Sequence, residues 1–566
     1  MEKHAYPLVT LKLLGKTAAY TALASAVFMA TQAQAQLLNN LTMGNPKALA
    51  LGNAVTADPP GIDSIHFNPA GLAKIKGRQR QIKLLVAHME LESKFGYPTR
   101  PDEDALRSNW LLDTDCQANP GAYPDNRDGY QACYGYDPVG NTTTSSGDPV
   151  LMLPFVGLTD IPILAVPTGG IAFEDAANGW TFGTAVYTPE GVGFTRDEDE
   201  SGAYQGIRVG VTRLTYFSPT VAIQVTDELS IGAGITFSYQ GLGIQTKFRA
   251  PLITTSFLAN ATAILGPDFA DLYILEPYDT VGLLEMEMDD YMSVGFNFGI
   301  LWEPTEWIAF GFSYRSESTS DLSGDFKMTN TDEFLATTEG LSGPPLALDN
   351  LLFLAGGAPF NVQKVESGTV ELEYISPQSL SFGTSIRVLP SLKVNVDLRW
   401  IEYSVWDTLD FKFDRNVDFL TLASVVNFVS PGVGDDADPD EMRIPRHYED
   451  SWSAALGVEY TMNDNLVLRF GYEPRASSIP DDRTDLLFPI TDAQLFSCGF
   501  GWQYDKSTRI EGSFGYLYSD SNTPSGKSRN ANSDIEGDVV YNPYFATDFE
   551  NTTTAYLFAL SVDQKF

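Results

Sequence analysis

The chain has 566 residues, of which 19% are charged and 12% aromatic, and its mean hydropathy is −0.11. That average excludes a helical membrane protein, whose spans each need about 20 consecutive apolar residues, but not a membrane barrel, which hides its apolar residues by alternation. Asp and Glu total 73 against 36 Lys and Arg, a formal charge of −37, which excludes nucleic acid as a partner because phosphate binding needs a cationic surface.

In chain order, the first feature is a targeting segment. Lys3, Lys12 and Lys16 form a basic stretch, Ala18–Ala30 is uncharged and mostly apolar, and Ala33-Gln34-Ala35 is a small-x-small cleavage site. Residues 1–35 therefore read as a secretory signal peptide. Residues 36–77 are rich in Gly, Pro and Asn and do not alternate. A segment of that size either hangs in the periplasm or folds inside a barrel, and it is expected to be an N-terminal hatch.

Residues 78–566 carry the organising signal, a period of two. Val294, Phe296, Phe298, Ile300 and Trp302 alternate with Gly295, Asn297 and Gly299, and Leu392, Val394, Val396, Leu398 and Trp400 alternate with Lys393, Asn395, Asp397 and Arg399. Similar runs occupy 308–315 and 466–473, and the last passes through Tyr556, Phe558, Leu560 and Val562 to Phe566. One face is apolar and ends in Trp or Tyr, the other is Gly, Ser, Asn and charges. In a soluble sandwich the apolar face would meet a second sheet. Aromatic ends on strand after strand favour lipid outside and a polar lumen inside.

The connections give the strand number. Six short polar turns fall at Asp175–Gly179, Thr226–Glu228, Glu303–Glu306, Pro390, Asn463–Asn465 and Asp505–Ser507. Seven long segments lie between them, near 97–160, 196–206, 246–284, 326–368, 413–449, 479–489 and 521–552. The sequence thus predicts an all-β fold, a 14-stranded antiparallel transmembrane barrel with short periplasmic turns and long extracellular loops. An even number of strands closes the sheet and leaves no edge. The expected location is the outer membrane of a Gram-negative-type cell. A terminal aromatic such as Phe566 suits engagement by the barrel-insertion machinery.

Within this frame several residues draw attention. Cys116 and Cys133 stand 17 apart in a loop-rich stretch, spacing that suits a disulfide in an oxidising compartment. Cys498, in an apolar run, reads as an unpaired buried thiol. Pro189, Glu190 and Gly191 interrupt the strand Trp180–Phe194: proline cannot donate to a ladder and glycine permits a bulge. Two readings stay open, an inward kink that opens a window in the wall and a strand end at the extracellular rim. Leu252, Phe257, Leu258 and Leu265 in one long loop, and Leu351, Leu352 and Phe353 in another, are too apolar for exposed loops unless they pack or bind something. They are candidates for a hydrophobic groove or for helices packed on each other. The acidic run Asp435, Asp436, Asp438, Asp440, Glu441 reads as a solvated loop or a divalent-cation site. There is no Gly-x-Ser-x-Gly, no metal-ligand spacing and no phosphate loop, so neither enzyme activity nor a metal or cofactor is expected.

Asn68-Pro69-Ala70-Gly71-Leu72, after Gly52-Asn53-Ala54-Val55, resembles the Asn-Pro-Ala element in the hatch of the FadL family, transporters of long-chain fatty acids with TodX-type aromatic-hydrocarbon transporters among them. Gly295–Trp302 followed by Tyr314-Arg315-Ser316-Glu317 looks like the family's middle hairpin, and Ser478-Ile479-Pro480 with Phe488-Pro489 is also similar. The resemblance runs from the hatch to Phe566, though the 97–160 loop and the acidic run depart from it. It implies capture of a hydrophobic small molecule in an extracellular groove, passage through a pocket, gating by Asn68, Pro69 and Ala70, and lateral release through the third strand, where Pro189–Gly191 lies. An ordinary Asn-Pro turn competes with the gating reading. Lumen charges such as Arg315, Arg399, Arg469, Glu459 and Glu511 suit holding the hatch or a substrate carboxylate. The expected partners are the substrate, outer-membrane lipid and lipopolysaccharide, with the chain a monomer. Uptake of aromatic hydrocarbons or alkanes by the same path, a non-specific porin and a surface adhesin are the alternatives.

Overall fold

The computed structural model describes residues 40–97, 137–161, 164–250, 275, 278–343, 359–429, 438–489, 491–533, 542–545 and 547–566. Alternation folds as the physics of a wall between lipid and lumen requires. Fourteen antiparallel strands form the barrel: β1 (Arg78–Phe95), β2 (Leu164–Asp175), β3 (Trp180–Thr195), β4 (Arg208–Phe217 and Thr220–Gln224), β5 (Leu229–Arg249), β6 (Thr280–Thr305) and β7 (Ile308–Arg315 and Ser318–Asn330) make the first half. β8 (Val365–Ser376 and Ser379–Leu389), β9 (Leu392–Ile401 and Thr408–Phe413), β10 (Glu441–Pro445 and Ser451–Asn463), β11 (Leu466–Arg475), β12 (Ala493–Gln503), β13 (Thr508–Thr523) and β14 (Phe549–Lys565) make the second. β1 pairs with β14 from Gln79↔Lys565 to Phe95↔Phe549, which closes the cylinder.

The lower part of the wall follows the pattern read from the sequence. Ile82, Phe173, Ile235, Phe296, Phe382, Phe470 and Phe558 project outward and are exposed. Trp302 and Trp502 stand among the exposed residues near the short turns. The upper part reverses it. β6 has 26 residues, roughly 85 Å of strand at 3.3 Å per residue, whereas 9–11 tilted residues cross the hydrocarbon. The wall therefore stands well clear of the lipid, and there water is outside. A register shift between Asp290 and Ser293 changes which residues of β6 face in. Val294 and Phe296 face lipid below it, while Leu284, Met286 and Met288 are buried inside above it. They join Leu242, Ile244, Phe248, Leu322, Phe326 and Leu372 in one apolar cluster. The outward neighbours Glu285, Glu287 and Lys327 are charged, and Lys327 pairs with Glu285 at 2.6 Å.

Several segments read as loops are consequently strand. β7 extends to Asn330 and β8 begins at Val365, and Glu441–Pro445 belongs to β10. The aromatic cap that marks the end of the lipid band does not mark the end of the strand. Cys498 corrects another expectation: it is free and half-buried, between the outward-facing Phe496 and Phe500 and opposite Phe470 and Phe514, because its position on β12 faces out rather than into a core.

Candidate functional site: a filled lumen, an interrupted strand and an apolar cavity

The N-terminal segment is a chain of short helical turns, Leu41–Met43, Pro46–Ala50, Gly61–Asp63, Ser64–Phe67 and Pro69–Lys74. Asn45 and Asn68 cap two of them, each side chain accepting from the backbone N–H two or three residues on, with proline at the first helical position, a placement where proline loses nothing. Almost every residue from Asn40 to Ala73 is buried, so the segment needs the wall as its surroundings.

The wall's small polar face supplies them. Asp397 accepts from the backbone N–H of Val55 and Thr56 at 2.9 and 2.8 Å, and Asn395 donates to Ala54 O at 3.0 Å. Asn68 donates to Thr56 O at 2.8 Å and to Ile300 O on β6 at 3.0 Å. Asn53 donates to Glu473 at 2.9 Å. Glycines bring the backbones together: a Cβ at Gly299 would strike Asn68 and Pro69, at Gly311 Thr56, and at Gly471 Gly52. Gly52 itself has φ 60 and its own Cβ would lie 2.8 Å from Tyr472 N, so neither its conformation nor its space admits a side chain.

Buried charges lock the arrangement. Lys83 on β1 pairs with Asp63 at 2.8 Å, both essentially without exposure, and Asp58 pairs with Lys393 at 2.6 Å and Lys47 at 3.0 Å. Burial alone would raise the Asp58 carboxyl, but Lys393 and Lys47 hold it well below the usual carboxylate range. Arg315 contacts His66 at 2.7 Å and Arg399 donates to Asn53 O at 3.3 Å, so these lumen arginines touch the segment. Arg469 instead bridges Glu459 and Glu511 at 2.8 and 3.0 Å. A polar cavity of about 410 Å³ remains between Lys47 and Pro60 of the segment and Arg469, Glu511 and Asp563 of the wall.

β3 is continuous but bulges at the Pro189 position. Its ladder with β4 shifts register between Tyr187 and Glu190, because three residues of β3 span two of β4. Among the described residues its ladder with β2 ends at Gly169↔Val186, although β3 continues to Thr195. At that far end Thr195 exchanges backbone hydrogen bonds with Gly147 and Asp148. Thr42 of the N-terminal segment donates to Thr188 O at 3.0 Å, and Glu190 is turned to the lumen side, opposite Arg213.

Above the N-terminal segment, the reversed alternation encloses a small apolar cavity of about 70 Å³. Ile244, Phe248, Met286, Phe419, Met442 and Leu487 line it together with Arg446 and Asp485. Arg446 is ion-paired with Asp485 and lies 5.1 Å from the Phe488 ring, and its Nε and Nη2 are buried without a hydrogen-bond acceptor among the described residues. None of these was singled out from the sequence. The signal was present as apolar alternation continuing past the aromatic cap, at Leu242 and Ile244 and at Leu284, Met286 and Met288.

Of the residues that were singled out, Asn68, Pro69 and Ala70 lie buried against β5 and β6, and Pro189, Glu190 and Gly191 lie at the register shift. Leu252, Phe257, Leu258, Leu265, Leu351, Leu352 and Phe353, the cysteines Cys116 and Cys133, and residues 1–35 lie outside the described residues. In the acidic run, Asp438 and Glu441 both pair with Arg443, at 3.4 and 2.5 Å.

A family model described as "Outer membrane protein transport protein (OMPP1/FadL/TodX)" matches residues 24–566. The chain is 21% identical over 229 residues to a long-chain fatty acid transport protein of Escherichia coli O6:H1, a match that covers 40% of this chain and 43% of that relative. In structure it is similar to a Pseudomonas aeruginosa FadL homologue, with TM-score 0.61 and 17% identity over 94% of this chain and 99% of that one. It is also similar to the Ralstonia pickettii toluene transporter TbuX, with TM-score 0.54 and 14% identity over 93% and 99%.

Proposed function

Since this chain belongs to the OMPP1/FadL/TodX family of outer-membrane proteins, we propose that it carries long-chain fatty acids or similar hydrophobic compounds across that membrane. Cargo enters among the extracellular loops, rests in the apolar cavity and leaves sideways through the wall beside β3. The observation that carries this reading is the bulge of β3 and the end of its pairing with β2. Here β3 runs past Val186 without a strand partner on its β2 side among the described residues, beginning at the row of Tyr187, Thr215, Ser238 and Ser293, where the outward residues change from apolar to charged, so the gap opens at the upper boundary of the lipid. The straight path supports the same choice: it is filled by the N-terminal segment, and the space left there is lined by Lys47, Arg469, Glu511 and Asp563, a poor route for an apolar solute.

In this reading the segment 36–77 is a hatch and Asn68, Pro69 and Ala70 hold its shape, while residues 1–35 direct export. Glu190 and the arginines opposite it define the lumen side of the exit. Replacing Pro189 and Gly191 together by valine supplies the missing donor and stiffens the strand. The double variant is expected to insert and to keep its hatch closed, measured as low conductance in planar bilayers, while uptake of a radiolabelled long-chain fatty acid falls at least tenfold. Normal uptake by a correctly inserted variant sinks the lateral route. A neutral cargo is the second reading, favoured by the mostly apolar cavity and by the neutralisation of Arg446 by Asp485.

A further inference from the structure

Residues Pro149–Ile161 fold into a small hairpin outside the main ladder, Val150–Leu153 against Gly157–Asp160, closed at its base by Ile161 N donating to Pro149 O at 2.8 Å. It lies on the outer face of the wall. Gly193 on β3, Gly210 on β4, Gly243 on β5 and Glu287 on β6 are successive partners in one row across four strands, and they face out because Val192, Val211, Leu242 and Ile244 beside them face in. Three glycines abreast leave a trough where a barrel ordinarily presents bulky side chains. The hairpin fills it. A Cβ at Gly210 or Gly243 would stand 2.7 Å from Leu158 Cδ1, one at Gly241 2.6 Å from Met152 Cγ, and one at Gly193 would strike Val150 O. Polar contacts fix the seat: Met152 N donates to Thr212 Oγ1 at 3.1 Å, Leu158 N to Glu287 at 3.2 Å, and Arg208 pairs with Asp160 at 2.7 Å.

Two further observations give the hairpin a place and a medium. Leu151 is buried in a cluster with Leu41 of the N-terminal segment and with Leu85, Ala87 and Leu164 of β1 and β2, and it approaches Gly191. It thus occupies the space beside β3 that the β2 ladder leaves open. The tip points the other way. Phe155 is 88% exposed and Val156 70%, and Phe155 takes φ 65, a costly conformation for a bulky residue. Its ring centre lies 5.0 Å from that of Tyr291, next to exposed Met292 and directly above the lipid-facing Val294 and Phe296. The tip continues the outward apolar band of β6.

We propose that this hairpin is a lipid-anchored shutter: its stem covers the gap beside β3 from outside, and Phe155 and Val156 are immersed in the acyl layer of the outer leaflet. Cargo leaving sideways displaces the stem while the tip stays in lipid. The shutter rests on the lateral route, whereas the lipid contact of the tip does not.

Two experiments test it. In the first, Phe155 is replaced by the photocrosslinker p-benzoylphenylalanine, and the protein is irradiated in vesicles of phosphatidylethanolamine, phosphatidylglycerol and lipopolysaccharide, with the same substitution at Phe296 as the lipid-facing reference. Lipid adducts at 155 comparable to those at 296 are expected. Adducts only within the chain or to a second copy overturn the anchor. In the second, the pair Leu158→Cys and Gly243→Cys, whose Cβ positions are 3.2 Å apart and need to part by only a few tenths of an ångström to reach disulfide geometry, locks the stem. Oxidation is expected to lower fatty-acid uptake at least tenfold and reduction to restore it. If the locked barrel transports normally while the Pro189, Gly191 double variant does not, the shutter is wrong and the lateral route stands. If both transport normally, the lateral route itself fails.

Discussion

Arg446 shows how much one side chain decides. It is almost fully buried beside an apolar cavity, balanced by Asp485 and set beside Tyr448, and its Nε and Nη2 have no acceptor in hydrogen-bond geometry among the described residues, so they are placed to donate to a ligand oxygen. A fatty-acid carboxylate would accept; toluene would not. Arg446→Met is therefore expected to weaken binding of a long-chain fatty acid by roughly tenfold or more, the worth of one charge-assisted hydrogen bond, and to leave binding of an aromatic hydrocarbon unchanged. Calorimetric titration with both ligands checks it, and equal loss for the two would assign Arg446 to packing alone. Arg446 was invisible in the sequence because it lies in a segment read as loop, and nothing local distinguishes it from a solvated arginine. Asn68 was visible because an Asn-Pro pair punctuates the chain wherever it occurs, but its acceptor Ile300 O lies 232 residues away, and no local pattern encodes that distance.

At the scale of elements, legibility tracks the medium. Strands were readable where lipid forces large apolar residues outward, as in Val294–Trp302, and less so above, where the same strand turns Met286 and Met288 inward. The hairpin Val150–Asp160 was missed because Val150-Leu151-Met152-Leu153 is a short apolar run with no period to place it. The docking of the hatch on β9 was legible only as a polar, small-residue face. On that face Asp397 accepts two backbone N–H groups of the segment while buried. Asp397→Ala orphans both donors, at a cost of about 1–3 kcal/mol for each. The expected outcome is an intact barrel with a loosened hatch, seen as intermittent ion currents absent from the parent protein. A variant as silent as the parent would show that the other contacts suffice.

For the molecule as a whole, fourteen strands followed from counting turns, because short periplasmic and long extracellular connections must alternate in a closed antiparallel sheet. What the count does not give is the state of the lumen, which depends on contacts between distant residues. The ion pairs of Asp58 bear on that state. Its folded pKa lies below the ordinary value, so the stabilisation it provides is present above the ordinary carboxylate range and is lost only as pH falls through the lower folded value. Conductance is expected to stay low as pH is brought from 7 to about 4, the region where unperturbed carboxylates titrate. A current that rises in step across that interval would show that Asp58 does not clamp the hatch.

The seam between β1 and β14 has a consequence for how the molecule comes to exist. The buried segment before Arg78 leads directly into β1, and β1 finds its closing partner in the last strand of the chain. The first residues enclosed are thus held by the last residues made, and contacts such as Asn53 with Glu473 span 420 positions. Such closure carries a large loop-entropy cost before any contact repays it. The interior must therefore be in place by the time the cylinder shuts, because afterwards the closed wall surrounds it.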